Sequence, residues 1–421
     1  MPSHESADRI AARNSLYLGV DLALFMSALG LLGHSTILPL FISKISSDPL
    51  AIGLLAAAFQ LGWLPQIFIA GYVERSQRKL PLLIRYTVLE RIPSLGLTLC
   101  ALAAVSTANG NLLVPVPILL GAVYLCRFCQ SVASGLSVPP WMDVIARVVP
   151  GPRRGRFMGN WTMIGNALGV GTAALTAPIL EWIPFPYNFA TCFGLASAIL
   201  CIGMVPIFLI KEPPGPPPRP AAPFRHQMRE VISILVTDAP FRRFVVGLSM
   251  AGLGTMTTGF LMAYAVQKLG ASDEMAGWYT AVLLAFAVLA NPALGRLADE
   301  HGFGAVARSC AMARAALALL TLFTLEPIWL LASFALHGIA QAGSQLAIET
   351  GPMEFAPLDR RPSYVAVCFG IVSLASAVAP LIGSVLVAQF GYGALFAVGA
   401  ACSIAAVIPL GRLGKPVPSA A

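Results

Sequence analysis

Arg127, Gln130, Ser131 and Ser134 stand at i, i+3, i+4 and i+7 of an otherwise apolar stretch, VYLCRFCQSVASG, Val123 to Gly135. On a helix this spacing gathers them on one face, which Trp141 continues. A polar stripe on a membrane helix must face other helices or water, because lipid cannot solvate it. An arginine there could attract an anionic substrate, or act on a nearby carboxyl and so control its proton. The competing reading is a structural arginine bonded to backbone carbonyls. An arginine at mid-bilayer costs about 2.5–3.5 kcal/mol on insertion scales, which favours the functional reading.

Proton chemistry needs a carboxylate, and two stand out. Asp21 lies in the first apolar stretch, and His34 follows 13 residues later, about 20 Å along a helix. The two point to different faces unless the helix bends near Gly30 or Gly33. His34 reads more simply as a hydrogen-bonded core residue. In the third stretch, RYTVLERIPS supplies Arg85, Glu90 and Arg91. Glu90 and Arg91 lie about 17 Å from the helix start. Adjacent residues point about 100° apart, so the expectation is different partners for the two rather than mutual contact. Arg314 holds nearly the matching place in the ninth stretch. A charge recurring at related positions suits a structural tie between helices for Arg91 and Arg314. Glu90 stays open beside Asp21 as a proton site.

The tenth stretch offers His337, Gln341, Gln345 and Glu349, spaced by four. Each step drifts about 40°, so they form a winding polar line. His337 is of the type that titrates near neutral pH. GTMTTGF, Gly254 to Phe260, brings hydroxyls including Thr257 to the seventh stretch, and Gln60, Asn160 and Asn166 are further lining candidates.

The elements that would position these groups follow from composition. The chain is 57% hydrophobic and 11% charged over 421 residues, with mean hydropathy +0.78. Twelve apolar stretches of about 20 residues, the length that crosses the hydrocarbon core, recur along it. They are Leu16–Ile42, Ala51–Val73, Leu80–Ser106, Leu112–Val144, Phe157–Ile183 and Phe189–Ile210, then Phe244–Val266, Ala276–Ala298, Ala305–Leu325, Ile328–Thr350, Tyr364–Phe390 and Ala394–Leu410. An all-α integral membrane protein is expected. The net charge of +8 does not point to nucleic acid, because 21 of the 27 Lys and Arg cluster in the terminal segments, the even-numbered loops and the helix ends beside them. By the positive-inside rule both termini are expected in the cytoplasm. The opening, MPSHESADRIAARNS, is polar, and no cleavable signal is expected in it.

A hydrophilic break at 211–243 divides the chain into six-helix halves, 1–210 and 244–421. Its proline run favours polyproline II, and His226–Leu235 is expected to form an amphipathic helix against anionic lipid. The eight cysteines fall in apolar stretches and read as packing residues, the Cys126/Cys129 pair included, so no metal is expected.

The halves look like copies. AGYVERSQRKL after the second stretch matches LGRLADEHGFG after the eighth, aligning Glu74 with Asp299. VPGPRRGRFMG after the fourth matches APLDRRPSYVA after the tenth, aligning Arg154 with Arg361 and Phe157 with Tyr364. The whole chain resembles the major facilitator superfamily. Its loop signature is kept as GRLADEHG, Gly295 to Gly302, and its charged core as ERSQRK, Glu74 to Lys79, which contains Arg75 and Arg78. RFCQS is similar to the fourth-helix motif of proton-coupled members, with Ser131 in place of glycine, and APLIGS, Ala379 to Ser384, is similar to a motif of drug–proton antiporters. That motif belongs in the fifth helix, where this chain has GNALGVG instead.

The resemblance implies twelve helices in two pseudo-symmetric bundles, alternating access, and a cavity lined by the fourth helix. It implies a cytoplasmic gate of Glu74, Arg75, Arg78 and Asp143, with Gly295 and Asp299 in the other half. The residues hold no phosphate loop, zinc-site spacing or nucleophile elbow, so an ion gradient rather than ATP, a metal or another cofactor is the expected energy source. The expected function is proton-coupled efflux of a small amphipathic organic compound across a bacterial inner membrane, by a protein working as a monomer. Uptake of an anionic metabolite is the alternative, and a non-transporting scaffold or receptor of the same fold is the alternative of another class.

Overall fold

The computed structural model describes residues 4–66, 73, 76–105, 112–149, 154–212, 233–357, 360–411 and 413, and among them the chain is almost wholly helical. The expected amphipathic helix and polyproline segment fall mostly on residues 213–232, outside the described residues; 233–237 are helical.

The first span is two helices, α1 (His4–Leu32) and α2 (Ile37–Ile45). They part at Gly33, whose φ of 47° is a left-handed conformation that side chains disfavour. The bend is therefore at one of the glycines the sequence offered for it. Then follow α3 (Pro49–Gly62), α4 (Leu80–Ala103), α5 (Val116–Val148), α6 (Arg154–Trp182) and α7 (Tyr187–Met204). The seventh span is again divided, into α8 (Ala239–Leu253) and α9 (Met256–Leu269). Here the chain stays right-handed and merely tightens, with Gly254 at φ −60° and the Thr255 and Thr258 amides bonded three residues back. After these come α10 (Met275–His301), α11 (Phe303–Leu322), α12 (Leu330–Glu349) and α13 (Arg361–Gly411), in which the eleventh and twelfth spans meet at Gly391.

Eight helical stretches among the described residues are long and apolar enough to cross a membrane. One of them, Ser363–Gly411, holds two spans. α4 and α12, at 24 and 20 residues, are long enough but less apolar. They carry Arg85, Glu90 and Arg91, and His337, Gln341, Gln345 and Glu349. The candidate site residues are what lower the hydropathy of these two spans.

Two compact units form. The first comprises Met1–Phe41, Leu61–Ala221 and Asp273–Ala281; the second comprises Ile42–Gln60, Ala222–Ser272 and Val282–Ala421. In the first unit α1 packs along α6 and α7, and α4 packs along α5 and α7. At one end of this unit Leu18, Leu83, Val144, Ile145, Val148 and Phe157 close a core over α1, α4, α5 and α6. In the second, α13 packs against α8 and α11, and α11 against α12. Its largest core joins Phe241, Phe244 and Leu248 to Tyr364, Val367 and Cys368.

Candidate functional site

In the first unit the apolar packing encloses a connected set of polar side chains from α1, α4 and α5. α4 supplies Glu90, Arg91 and Ser94, all buried, one turn to either side of Pro93. α5 supplies Arg127, Gln130, Ser131 and Ser134, also buried, so the i, i+3, i+4, i+7 stripe faces protein. The close approach that seats it is visible at Gly62, where a Cβ would fall 2.5 Å from that of Ser131.

The Arg91 guanidinium is the hub. Its Nη1 donates to Glu90 Oε2 at 2.5 Å, its Nη2 lies 3.6 Å from Asp21 Oδ1, and its Nε donates to the Leu200 carbonyl of α7 at 3.1 Å. The Phe25 ring of α1 lies 5.8 Å beneath it. Glu90 also accepts from the Ser134 hydroxyl of α5. The expectation that Glu90 and Arg91 would avoid each other is therefore corrected. Their Cα–Cβ directions diverge, but the arginine is long enough to fold back and still reach α1 and α7. The expected tie between helices is present as well.

A second strand of bonds runs beside the first. Arg127 Nη1 donates to Gln130 Oε1 at 2.6 Å, and Gln130 Nε2 donates to Ser94 Oγ at 2.8 Å. His34, in the turn after α1, lies within electrostatic reach of Arg127 rather than beside Asp21. Trp141 donates to Asp21. Two carboxylates and two guanidiniums are thus enclosed together, which is what makes burial of each tolerable.

The second unit is arranged differently. Arg314 on α11 is buried and donates to the Ala251 carbonyl of α8 at 3.3 Å, beside the tightened turn. Among the described residues no carboxylate lies within ion-pair distance of it. His337 is buried within electrostatic reach of Arg314. Gln341, Gln345 and Glu349 are exposed along one line of α12, and Gln345 donates to Glu349 at 3.0 Å. Thr257 is fully buried, its hydroxyl on the Gly254 carbonyl and its methyl against Gly399. Asn166 is half-buried and Asn160 exposed on α6.

Of the proposed gate, Glu74 and Arg75 lie outside the described residues, and Arg78 is exposed. Asp143 meets a different residue of the same loop, Lys79, at 3.5 Å. Lys79 also donates from Nζ to the Val73 carbonyl. Gly295 is half-buried and Asp299 exposed.

Sequence reasoning missed Glu212. Its carboxylate accepts from the backbone of Lys79 at 2.8 Å and Leu80 at 3.0 Å, capping α4 from across the chain, and from Arg147 at 2.6 Å. Asn14 fastens the preceding residue, exchanging hydrogen bonds with the Lys211 backbone. In the second unit Glu354 does the equivalent for α11, accepting from Phe303 N at 3.1 Å. The only sequence signal was the charged pair Lys211–Glu212 before the proline run. Cys129 is exposed and Cys126 turns to Cys100 of α4; among the described residues no cluster suited to a metal occurs.

The family model of the Major Facilitator Superfamily matches residues 20–272 and 244–421. Among solved structures, that of a point mutant of the nucleoside transporter NupG is similar, at TM-score 0.72 and 12% identity over 96% of this chain and 100% of that one. A peptide transporter POT in complex with sulfate is similar at TM-score 0.69 and 14% identity, over 97% of each chain. A D-xylose-proton symporter is similar at TM-score 0.65 and 17% identity, over 98% and 99%. No curated protein matches the chain in sequence.

Proposed function

Because the chain belongs to the major facilitator superfamily, a family of multi-pass membrane transporters rather than enzymes, we propose that it is a proton-coupled secondary transporter exporting a small organic compound. In this reading the termini lie in the cytoplasm of a bacterium, the proton gradient supplies the energy, and the two bundles alternate around a central site as one monomer.

The observation that supports it most is the enclosed set Asp21, Arg91, Glu90, Ser134, Ser94, Gln130 and Arg127. Ionisable groups inside a membrane are costly and mark proton or substrate pathways. The set joins two parts with separate chemistry. Asp21 and Glu90 are able to take and release a proton. Arg127 and Gln130 are able to hydrogen-bond a substrate whose arrival is felt one bond further on, at Ser94 on α4. With Asp21 ionised, two cations face two carboxylates, so in that state the set has no surplus positive charge to hold an anion. That balance favours a compound without strong negative charge over an anionic metabolite.

The test uses the full chain in liposomes with an internal pH dye. A library of small organic compounds is added with an imposed pH gradient. Dye signals that depend on both compound and gradient, and disappear in Arg127→Ala, are expected. Compound movement indifferent to the gradient would remove proton coupling, and no movement of any compound would leave the scaffold alternative in its place.

A further inference from the structure

Glu90 and Asp21 share one guanidinium unequally. Both Glu90 oxygens are occupied, Oε2 by Arg91 Nη1 at 2.5 Å and Oε1 by the Ser134 hydroxyl. Asp21 faces the other Arg91 nitrogen at 3.6 Å, beyond hydrogen-bond range. Among the described residues its Oδ1 has no hydrogen-bond partner, although the side chain is only 9% exposed. A closing of about 0.7 Å would bring Nη2 to an ordinary N–H···O separation of about 2.9 Å. The Phe25 ring under the guanidinium and the Leu200 carbonyl on Nε hold the plane of this rigid fork, so a small tilt of the whole group, or an approach of Asp21 on α1, closes the gap.

We propose that Asp21 carries the exchangeable proton, and that Arg91 is the positioning residue whose fork closes on Asp21 when the proton leaves and relaxes toward Glu90 when it returns. This rests on the proton-coupled reading above and assigns its proton site. In the first state the Asp21 carboxyl is the acid, and Arg91 neutralises Glu90. In the second the Asp21 O–H bond breaks, the proton passes to water, and the freed carboxylate takes Nη2 while Glu90 keeps Nη1 and Ser134. No other group changes charge.

The surroundings fit this assignment. On α5, Trp141 donates to Asp21, and Arg127 acts on the Glu90 side of the pair. His34, after α1, lies by Arg127. α7 contributes a backbone carbonyl, and α6 brings the Trp161 ring against Gly19 of α1. Glu90 and Arg91 are the charged groups that act on Asp21. Because Arg91 is bonded to α7 and faces α1, the fork's travel is passed to both helices, which links protonation to helix position. The proton site would then be paired with an arginine of the third span, not with Arg127 of the fourth-span motif.

The experiment needs no substrate. The resting, full-length protein in lipid is titrated while the infrared C=O band of protonated carboxyls and the fluorescence difference between wild type and Trp141→Phe are recorded. Among the carboxyl bands, one that shares its midpoint with a Trp141 transition is expected. Asp21→Asn should abolish both, and Glu90→Gln should keep both while moving their common midpoint to lower pH, because Arg91 is then free for Asp21. Arg91→Gln should move the midpoint to higher pH by about one to three units, because the cation that favours the freed carboxylate is gone. Arg91→Lys, which retains the charge, should stay near wild type and covers the case in which Arg91→Gln does not fold. Persistence of the band in Asp21→Asn, its loss in Glu90→Gln, or an Arg91→Lys midpoint displaced as far as that of a folded Arg91→Gln would overturn the assignment. A protein that fails here yet moves protons in liposomes uses another proton site. One that passes here but moves no compound refutes only the transport reading.

Discussion

Gln130 reaches across the seam between α5 and α4 to donate to Ser94 at 2.8 Å, while its carbonyl oxygen accepts from Arg127 at 2.6 Å. Both ends of one amide are committed, so Gln130 joins the fourth-span arginine to the helix that carries Glu90. Gln130→Leu keeps the volume but leaves the Arg127 hydrogen bond and the Ser94 hydroxyl unmet. Losing a buried partner of a charged group costs about 1–3 kcal/mol. Coupled transport in liposomes is expected to fall at least tenfold with unchanged membrane insertion, and a wild-type rate would detach Gln130 from the mechanism.

Arg127 is expected to behave more severely. Arg127→Ala should insert yet lose coupled transport, and Arg127→Lys should recover only part, because lysine lacks the planar fork that addresses Gln130 while presenting further N–H groups. The measurement is substrate-driven proton movement. Full movement in Arg127→Ala would eliminate the role.

How far the sequence carried this picture differs from element to element. The spans were legible because lipid imposes a length and a composition that few other constraints mimic, and the bend at Gly33 was legible because glycine is what a left-handed residue needs. The Arg127 stripe was legible because its members share one helix and one period. Contacts between helices were not. Ser134 meets Glu90 across 44 residues, and Glu212 meets Lys79 across 133. Nothing in local spacing records such meetings. The Glu90–Arg91 pair misled for a different reason: side-chain direction was judged from the helix, whereas a long guanidinium can fold back on its neighbour.

Glu212 ties the start of α4 to the end of α5, where Arg147 donates to it with only 6% of the Glu212 side chain exposed. Two backbone N–H groups at a helix start and one guanidinium depend on it. Glu212→Ala should lower stability by about 1–3 kcal/mol through loss of the cap and of the carboxylate to which Arg147 donates alongside the Gln77 carbonyl. A lowered thermal midpoint in detergent, with Glu212→Gln intermediate because its amide oxygen still accepts, is the expected result.

Glu354 allows a test by pH outside the membrane spans. Glu354 is exposed as a residue, yet desolvation of its carboxyl against the start of α11 raises it above the usual carboxylate range, partly offset by its bond from Phe303 N. A carboxyl with a raised folded-state value contributes stability that is present below its unfolded value and lost as pH rises through the folded one. Glu354→Gln, permanently neutral and still able to accept from Phe303, should therefore melt no lower than wild type at pH 7. It should also lose this part of the decline with pH. A Gln variant that melts lower at pH 7 would show that the ionised cap outweighs its desolvation.

Asp143 and Lys79 meet at 3.5 Å near the end of α5, with 45% of the aspartate side chain exposed. The Lys79 side chain is buried, but solvent screens the pair on the aspartate side, so the contribution is set at the scale of surface pairs, about 0–1 kcal/mol. That is small for folding, but alternating states of a transporter differ by only a few kcal/mol, and 1 kcal/mol changes a two-state ratio about fivefold. Lys79 is itself anchored on the Val73 carbonyl, so the ion pair fastens α5 to a fixed point of the loop and not to a swinging side chain. If the pair closes the cytoplasmic entrance, Asp143→Asn should shift the population inward-open. A cysteine introduced at Ser137, two turns before Asp143 on α5, should then react up to fivefold faster with a maleimide supplied from the cytoplasmic side, in a background where Cys129 is serine. Lys79→Met removes the other charge and should give the same increase. Unchanged labelling in both, with transport intact, would leave the pair as surface charge and place the gate elsewhere in the loop.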